Sequence, residues 1–268
     1  MLFTLFGDYV FPVGGEIWLG SLVAIGRALG MSEVAVRSAV ARLGRERWVA
    51  ARKHGARSFY RLAPKGRALI EEGTQRIYHG DGRVWDGTWC LLSYSIPESK
   101  RALRDRMRKQ LAWLGFGQLA SGTYLAPRDV SPQVLQLAER LGAGAFAKTF
   151  SARGCGATDD ARIVRQCWDL GHIACAYQRF VRHYAPLYTR DVRRHAEARL
   201  EDADAFRTRL ALTHDFRRFP FIDPDLPRQL LPAAWPGTRA RELFDAYHAL
   251  LTDGALRFFS ACAPSSSG

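Results

Sequence analysis

Arg37, Ser38, Arg42 and Arg45 are spaced to present two kinds of chemistry on one side of a helix. Guanidinium groups bind phosphate or the acceptor edge of guanine, while small residues at Ser38 and Ala41 let the backbone approach base edges. Val36, Ala39, Val40 and Leu43 fall on the other side at the helical spacing of a buried stripe. Ser32 is placed to cap this helix, and Glu33 suits the positive end of its dipole. A second cationic group follows at once. Arg52, Lys53, His54 and Arg57 surround Gly55 at the tip between two β-rich runs, 48–51 and 58–62, where a wing would touch DNA backbone or the minor groove.

These side chains need a scaffold, and the preceding residues supply one. Leu19, Leu22, Val23 and Leu29 predict a helix that stops at Gly30, so helix, short turn, helix and hairpin follow in order. The combination reads as a winged helix-turn-helix DNA-binding domain over residues 1–79, with double-stranded DNA as the partner.

The bulk composition agrees. The chain has 268 residues, enough for two or three compact units, and 47% apolar residues, which exclude disorder. The formal charge of +13 is uneven: the basic excess is 6 over residues 1–80, 5 over 81–153 and 2 over 154–268. A polyanionic partner for the first two thirds follows, with salt-dependent binding. The five cysteines form no CxxC pair, no apolar run reaches membrane-spanning length, and the start carries no basic signal region. A cytoplasmic protein is the expectation.

Residues 64–78 read as a helix leading out of the first domain, and the Gly- and Asp-rich stretch 80–87 as a linker. Over 88–153 the pattern is strand 88–96, helix from Pro97, strands 116–119 and 123–126 joined at Ser121-Gly122, helix from Ser131, and strand 145–152. This βαββαβ order predicts a ferredoxin-like middle domain. From Asp159 onward the periodicity is helical, interrupted at Pro186 and over 220–236, giving an α-helical C-terminal domain over 154–268. The fold class is thus α+β and multidomain.

The chain resembles the phenylacetate-catabolon repressors of the PaaX family. The matching stretches include Thr4-Leu5-Phe6-Gly7-Asp8, the run from Gly15 to Leu22, Ser32-Glu33 with Val36-Arg37, and Trp85-Asp86-Gly87. They continue with Trp113-Leu114-Gly115-Phe116-Gly117, Asp223-Pro224-Asp225-Leu226-Pro227, and the run from Leu230 to Gly237. The resemblance covers nearly the whole chain. It implies the same three domains, with effector binding and dimerisation assigned to the C-terminal one, and a homodimeric repressor released from its operator by an aryl-acyl-coenzyme A, typically phenylacetyl-coenzyme A. It carries no catalytic residue and no cofactor.

The family's middle domain looks like a small CRISPR-associated nuclease, in which an aspartate at the end of the first strand binds metal. Here that stretch is Tyr94-Ser95-Ile96, and Ser95 is a poor Mg²⁺ ligand, so neither nuclease activity nor a metal is expected. The spacing of Gly142, Gly144 and Ala147 mimics a dinucleotide fingerprint, but it follows a helix and precedes a strand and reads as a turn. The spacing of Cys167, His172 and Cys175 fits no zinc site. Lys100, Arg101, Arg104, Arg108 and Lys109 form a basic helix face, either solvated or engaged with DNA or a second subunit. His214, Arg217 and Arg218 interleave cations with aromatics, and Trp235 follows. They read either as an effector site for a coenzyme A thioester or as a packing corner with snorkelling arginines. A ligand-independent architectural DNA- or RNA-binding protein uses the same basic surfaces and is the alternative function.

Overall fold

A computed structural model describes residues 1–78, 84–154 and 159–264. In chain order the elements are α1 (Leu2–Leu5), β1 (Glu16–Trp18), α2 (Leu19–Ala28), α3 (Glu33–Arg45), β2 (Val49–His54), β3 (Arg57–Leu62) and α4 (Pro64–Tyr78). Then come β4 (Trp89–Tyr94), α5 (Arg101–Trp113), β5 (Gly117–Ala120), β6 (Thr123–Ala126), α6 (Ser131–Leu141), β7 (Ala147–Ala152) and α7 (Asp160–Cys167). The remainder is α8 (Leu170–Ala196), α9 (Asp202–Phe216) and α10 (Pro236–Cys262). Residues 80–83 of the expected linker lie outside the described residues.

Two compact units result, and they interleave along the chain. The first joins Met1–Tyr78, Gln178–Arg218 and Gly237–Gly268; the second joins His79–Tyr177 and Phe219–Pro236. The linear division into 1–79, 88–153 and 154–268 therefore does not coincide with the packing. The reason is hydrophobic. Leu5, Phe6, Tyr9 and Val10 share one buried cluster with Val36 and Val40 of α3, Phe206 and Leu210 of α9, and Phe259 of α10.

In the first unit, β1, β3 and β2 form an antiparallel sheet in that order, with Trp18 opposite Phe59 and His54 opposite Arg57. The turn from α2 to α3 requires a left-handed residue, and Gly30 supplies it at φ 74°. Gly26 lets α3 seat on α2, because a Cβ there would lie 2.3 Å from Cγ2 of Val36. A π-helical turn, Phe6–Val10, continues α1. Pro186 is a correction. It lies inside α8 without ending it, and the helix tolerates the missing N–H because Phe180, Tyr184 and Asp191 anchor the surrounding turns by burial.

The second unit is a four-stranded antiparallel sheet in the order β5-β6-β4-β7. Both faces are covered. On one, Cys90, Leu92 and Tyr94 of β4 pack with Leu103, Met107 and Leu111 of α5 and Val134 and Leu137 of α6. On the other, Trp89 and Leu125 pack with Ile163 and Val164 of α7 and with Leu226 and Leu230. Strand alternation forces this division, since neighbours along β4 point to opposite faces. Gly142 closes α6 at φ 74° and leads through a 3-10 turn into β7, so the glycine-rich stretch is a helix C-cap.

Candidate nucleic-acid interface

α3 is held from below by Val36 and Val40, both buried, and from its N-terminus by Ser32, whose hydroxyl accepts the backbone N–H of Ala35 at 3.2 Å. Its outer face is open. Ser32, Arg37, Ser38, Ala41, Arg42 and Arg45 are all exposed, and Val34, 74% exposed, stands among them. The cationic ends and small middle expected of a reading surface are thus on one face. Arg37 is engaged by its own helix, with Nη2 2.7 Å from Glu33, and Arg27 approaches the same carboxylate at 3.4 Å. The hydrogen bonds from Arg37 hold the Glu33 carboxyl below the usual range.

Beside the helix, β2 and β3 pair in register to a tight turn at Gly55, whose φ of 58° favours glycine. Arg52, Lys53, His54 and Arg57 are exposed, and the Arg57 guanidinium lies 5.1 Å from the Trp18 ring centre. The helix face and the hairpin tip belong to one compact unit. Lys65 adds a cation that the sequence reading omitted. Its ammonium sits 3.8 Å over the Trp48 ring and donates to the carbonyl of Glu46. Its only sequence signal was its place in the first turn of α4.

The four residues expected at an effector site fall differently. Nδ1 of His214 is 2.8 Å from Oγ1 of Thr4, and its pKa is pushed down to about 4, first by burial and then by the amino terminus and Arg217. Arg217 lies 6.0 Å from the Phe3 ring, and its Nε is buried with no hydrogen-bond partner among the described residues. Both side chains tie α9 to α1. Arg218 is exposed, whereas Trp235 belongs to the other unit, buried edge-on against Tyr177. Neither unit gathers the four together.

Elsewhere, Ser95 is exposed just beyond β4, and among the described residues no three His, Cys, Asp or Glu side chains cluster to hold a metal ion. Cys175 and His172 are exposed, while burial pushes the Cys167 thiol up to about 11. On the basic helix α5, Arg104 pairs with Glu98 at 2.7 Å and Arg108 with Asp105 at 3.5 Å, so part of its charge is internally balanced.

Comparison with known proteins settles the family. Residues 1–66 match the model described as PaaX-like protein, 82–164 the PaaX protein central Cas2-like domain, and 168–261 the PaaX-like protein C-terminal domain. The transcriptional repressor PaaX of Escherichia coli (strain K12) is 36% identical over 271 aligned positions, spanning 100% of this chain and 84% of that protein. The chain belongs to the PaaX family. With it comes membership of a class of transcriptional repressors rather than enzymes. The fold is shared further afield. An uncharacterized protein from Mycobacterium tuberculosis superposes with a TM-score of 0.63 at 23% identity, covering 97% of the PaaX-family chain and 96% of its own. Among the described residues, no helix of this PaaX-family chain is long and apolar enough to cross a membrane.

Proposed function

We propose that the chain is a cytoplasmic, homodimeric repressor that binds operator DNA through a winged helix-turn-helix formed by its first unit. In this reading α3 lies in the major groove and the β2–β3 tip contacts the backbone. The observation that carries it is the exposed face of α3, where Ser38 and Ala41 sit between Arg37, Arg42 and Arg45, beside a hairpin tip bearing four further basic or imidazole side chains. The order of helices and strands supports the winged-helix reading, and the sheet order β5-β6-β4-β7 with two helices on one face supports a ferredoxin-like middle domain. The matched segments support a three-part functional division along the chain into DNA-binding, middle and effector or dimerisation parts. Release by an aryl-acyl-coenzyme A, such as phenylacetyl-coenzyme A, completes the reading and rests on the family relationship.

The test uses genomic duplexes selected by the wild-type protein. Arg42→Ala and Arg45→Ala should each weaken binding; a lost phosphate contact lowers the salt slope by about one, and a lost base contact relaxes preference at one position. Two protected half-sites about 34–36 Å apart, or a multiple of that, are expected of the dimer. Unchanged affinity in both variants overturns the assignment of α3. DNA binding that no aryl-acyl-coenzyme A releases favours the architectural alternative.

A further inference from the structure

Among the described residues of the first unit, Val34 is the most exposed large apolar side chain, at 74%. It stands in the first turn of α3, two residues after the Ser32 cap. Val34, Ser38, Ala41 and Arg45 follow one another at separations of four, three and four residues, so they form one row along the helix. That row lies opposite the buried Val36 and Val40. Folding gives valine no advantage at this position. Branching at Cβ disfavours an exposed helical site, and a side chain this open adds little to the core.

The surroundings restrict what Val34 can meet. Arg37 and Arg27 both hold the Glu33 carboxylate, at 2.7 Å and 3.4 Å, so the cations at this end of α3 are engaged. Arg42 and Arg45 are exposed about two and three turns further along. One end of the face is therefore apolar and charge-balanced, and the other is cationic. A single apolar point flanked by guanidinium groups complements a polyanion better than an apolar protein surface. On the edge of a base pair the apolar group is the C5 methyl of thymine, which projects into the major groove. Ser38 and Ala41 are small enough to let the backbone come near, and Cβ atoms tilt toward a helix N-terminus, so Val34 leads the row. In helix-turn-helix docking the N-terminal residues of the second helix are the ones that reach base edges. The stiff χ1 of valine means that little side-chain entropy is lost in such a contact.

We propose that Val34 packs on the C5 methyl group of one thymine in each half-site and makes thymine the preferred base there. The proposal rests on the reading that α3 lies in the major groove, and it adds a base identity and the side chain that selects it. Burying one methyl-sized group is worth about fourfold in affinity.

Fluorescence anisotropy with the full chain and a genomic duplex selected by the wild type tests it. Each thymine of one half-site is replaced in turn by uracil, which removes the methyl group and leaves the hydrogen-bonding edge as it was. One replacement should cost the wild type about fourfold in affinity. Val34→Ala should bind the thymine duplex several-fold more weakly and lose nothing further when that same thymine becomes uracil. Its thermal melt should match or exceed that of the wild type, because alanine suits an exposed helical position better than valine. If no uracil replacement costs the wild type more than about 1.5-fold, or if Val34→Ala keeps the wild-type penalty at every position, Val34 does not read thymine. The DNA-binding reading then stands so long as Arg42→Ala and Arg45→Ala still weaken binding. If Val34→Ala instead splits the protein into monomers, the side chain belongs to a subunit contact and the proposal is overturned. A wild-type protein that selects no duplex removes the DNA-binding reading and the role of Val34 together.

Discussion

The guanidinium of Arg37 lies 2.7 Å from the Glu33 carboxylate one turn back on α3, so the face proposed to meet DNA carries a self-neutralised pair at its N-terminal end. Glu33 also suits the positive end of the helix dipole, and the hydrogen bonds from Arg37 hold its carboxyl below the usual range. An approaching phosphate must displace this anion or tolerate it. Glu33→Gln removes the repulsion and frees Arg37, and it should tighten DNA binding several-fold at low salt. The gain should shrink as salt screens it. Fluorescence anisotropy across a salt series reads both quantities. An unchanged affinity would place the DNA contact away from this end of α3.

The cap of the same helix separates folding from recognition. Ser32 accepts the Ala35 N–H, so Ser32→Ala should cost about 1 kcal/mol of stability, a fall of about 2–4 °C in Tm for a chain of this size. Ser32→Asp keeps an acceptor and should restore the melt, yet it adds an anion to the reading face and should weaken DNA binding. Thermal melts beside anisotropy distinguish the two effects. If Ser32→Asp melted like Ser32→Ala, the capping role would be wrong.

Asp8 and Arg209 form a buried pair between the turn after α1 and α9, at 3.0 Å with both side chains 7% exposed. Thr213 donates to the same carboxylate oxygen, and the guanidinium sits 4.8 Å from the Tyr9 ring. Removing only the acid strands a buried cation. Asp8→Ala should destabilise the chain by about 3–5 kcal/mol, while Asp8→Leu combined with Arg209→Met should recover most of the loss. Urea denaturation of the three proteins checks it. Additive losses in the double variant would refute the pairing account.

The exposed cationic face of α3 was legible because its signals are local: the buried stripe of α3 repeats at helical spacing, and Gly30 and Gly55 mark turns that need positive φ. The βαββαβ order was legible for the same reason, from apolar runs punctuated at Gly122 and Gly142. What sequence could not show is what depends on distant surfaces. α1 is four residues long, and its Leu2 and Leu5 acquire meaning from packing with α3 and with α9 and α10, the last two some 200 residues away. β1 has three residues and exists because β3 pairs with it. Pro186 read as a break, but packing on both sides of it outweighs one missing hydrogen bond. In the second unit Trp85, Arg128, Phe150 and Asp225 line one cavity, yet they come from four separate stretches that no window of sequence joins.

His214 gives the first unit a pH dependence whose sign is fixed by geometry. Its ring meets Thr4 while the amino terminus and Arg217 face it from α1 and α9, and its folded pKa is pushed down to about 4 from an ordinary value near 6.5. Asp215 beside it acts in the opposite sense but is outweighed. The unfolded chain therefore takes up a proton between those two values that the folded chain refuses. The stability held by neutral His214 is complete above about pH 6.5, falls as pH drops toward 4, and falls no further below that. Because the ring is only partly buried, the loss should be about 1–2 kcal/mol rather than the full value of the shift. Urea melts of wild type and His214→Gln at intervals from pH 7 to about 4 isolate the contribution as the difference between the two curves. The difference should favour wild type most at the upper end and narrow on acidification; parallel curves would show that His214 titrates in the folded protein as it does in the unfolded chain.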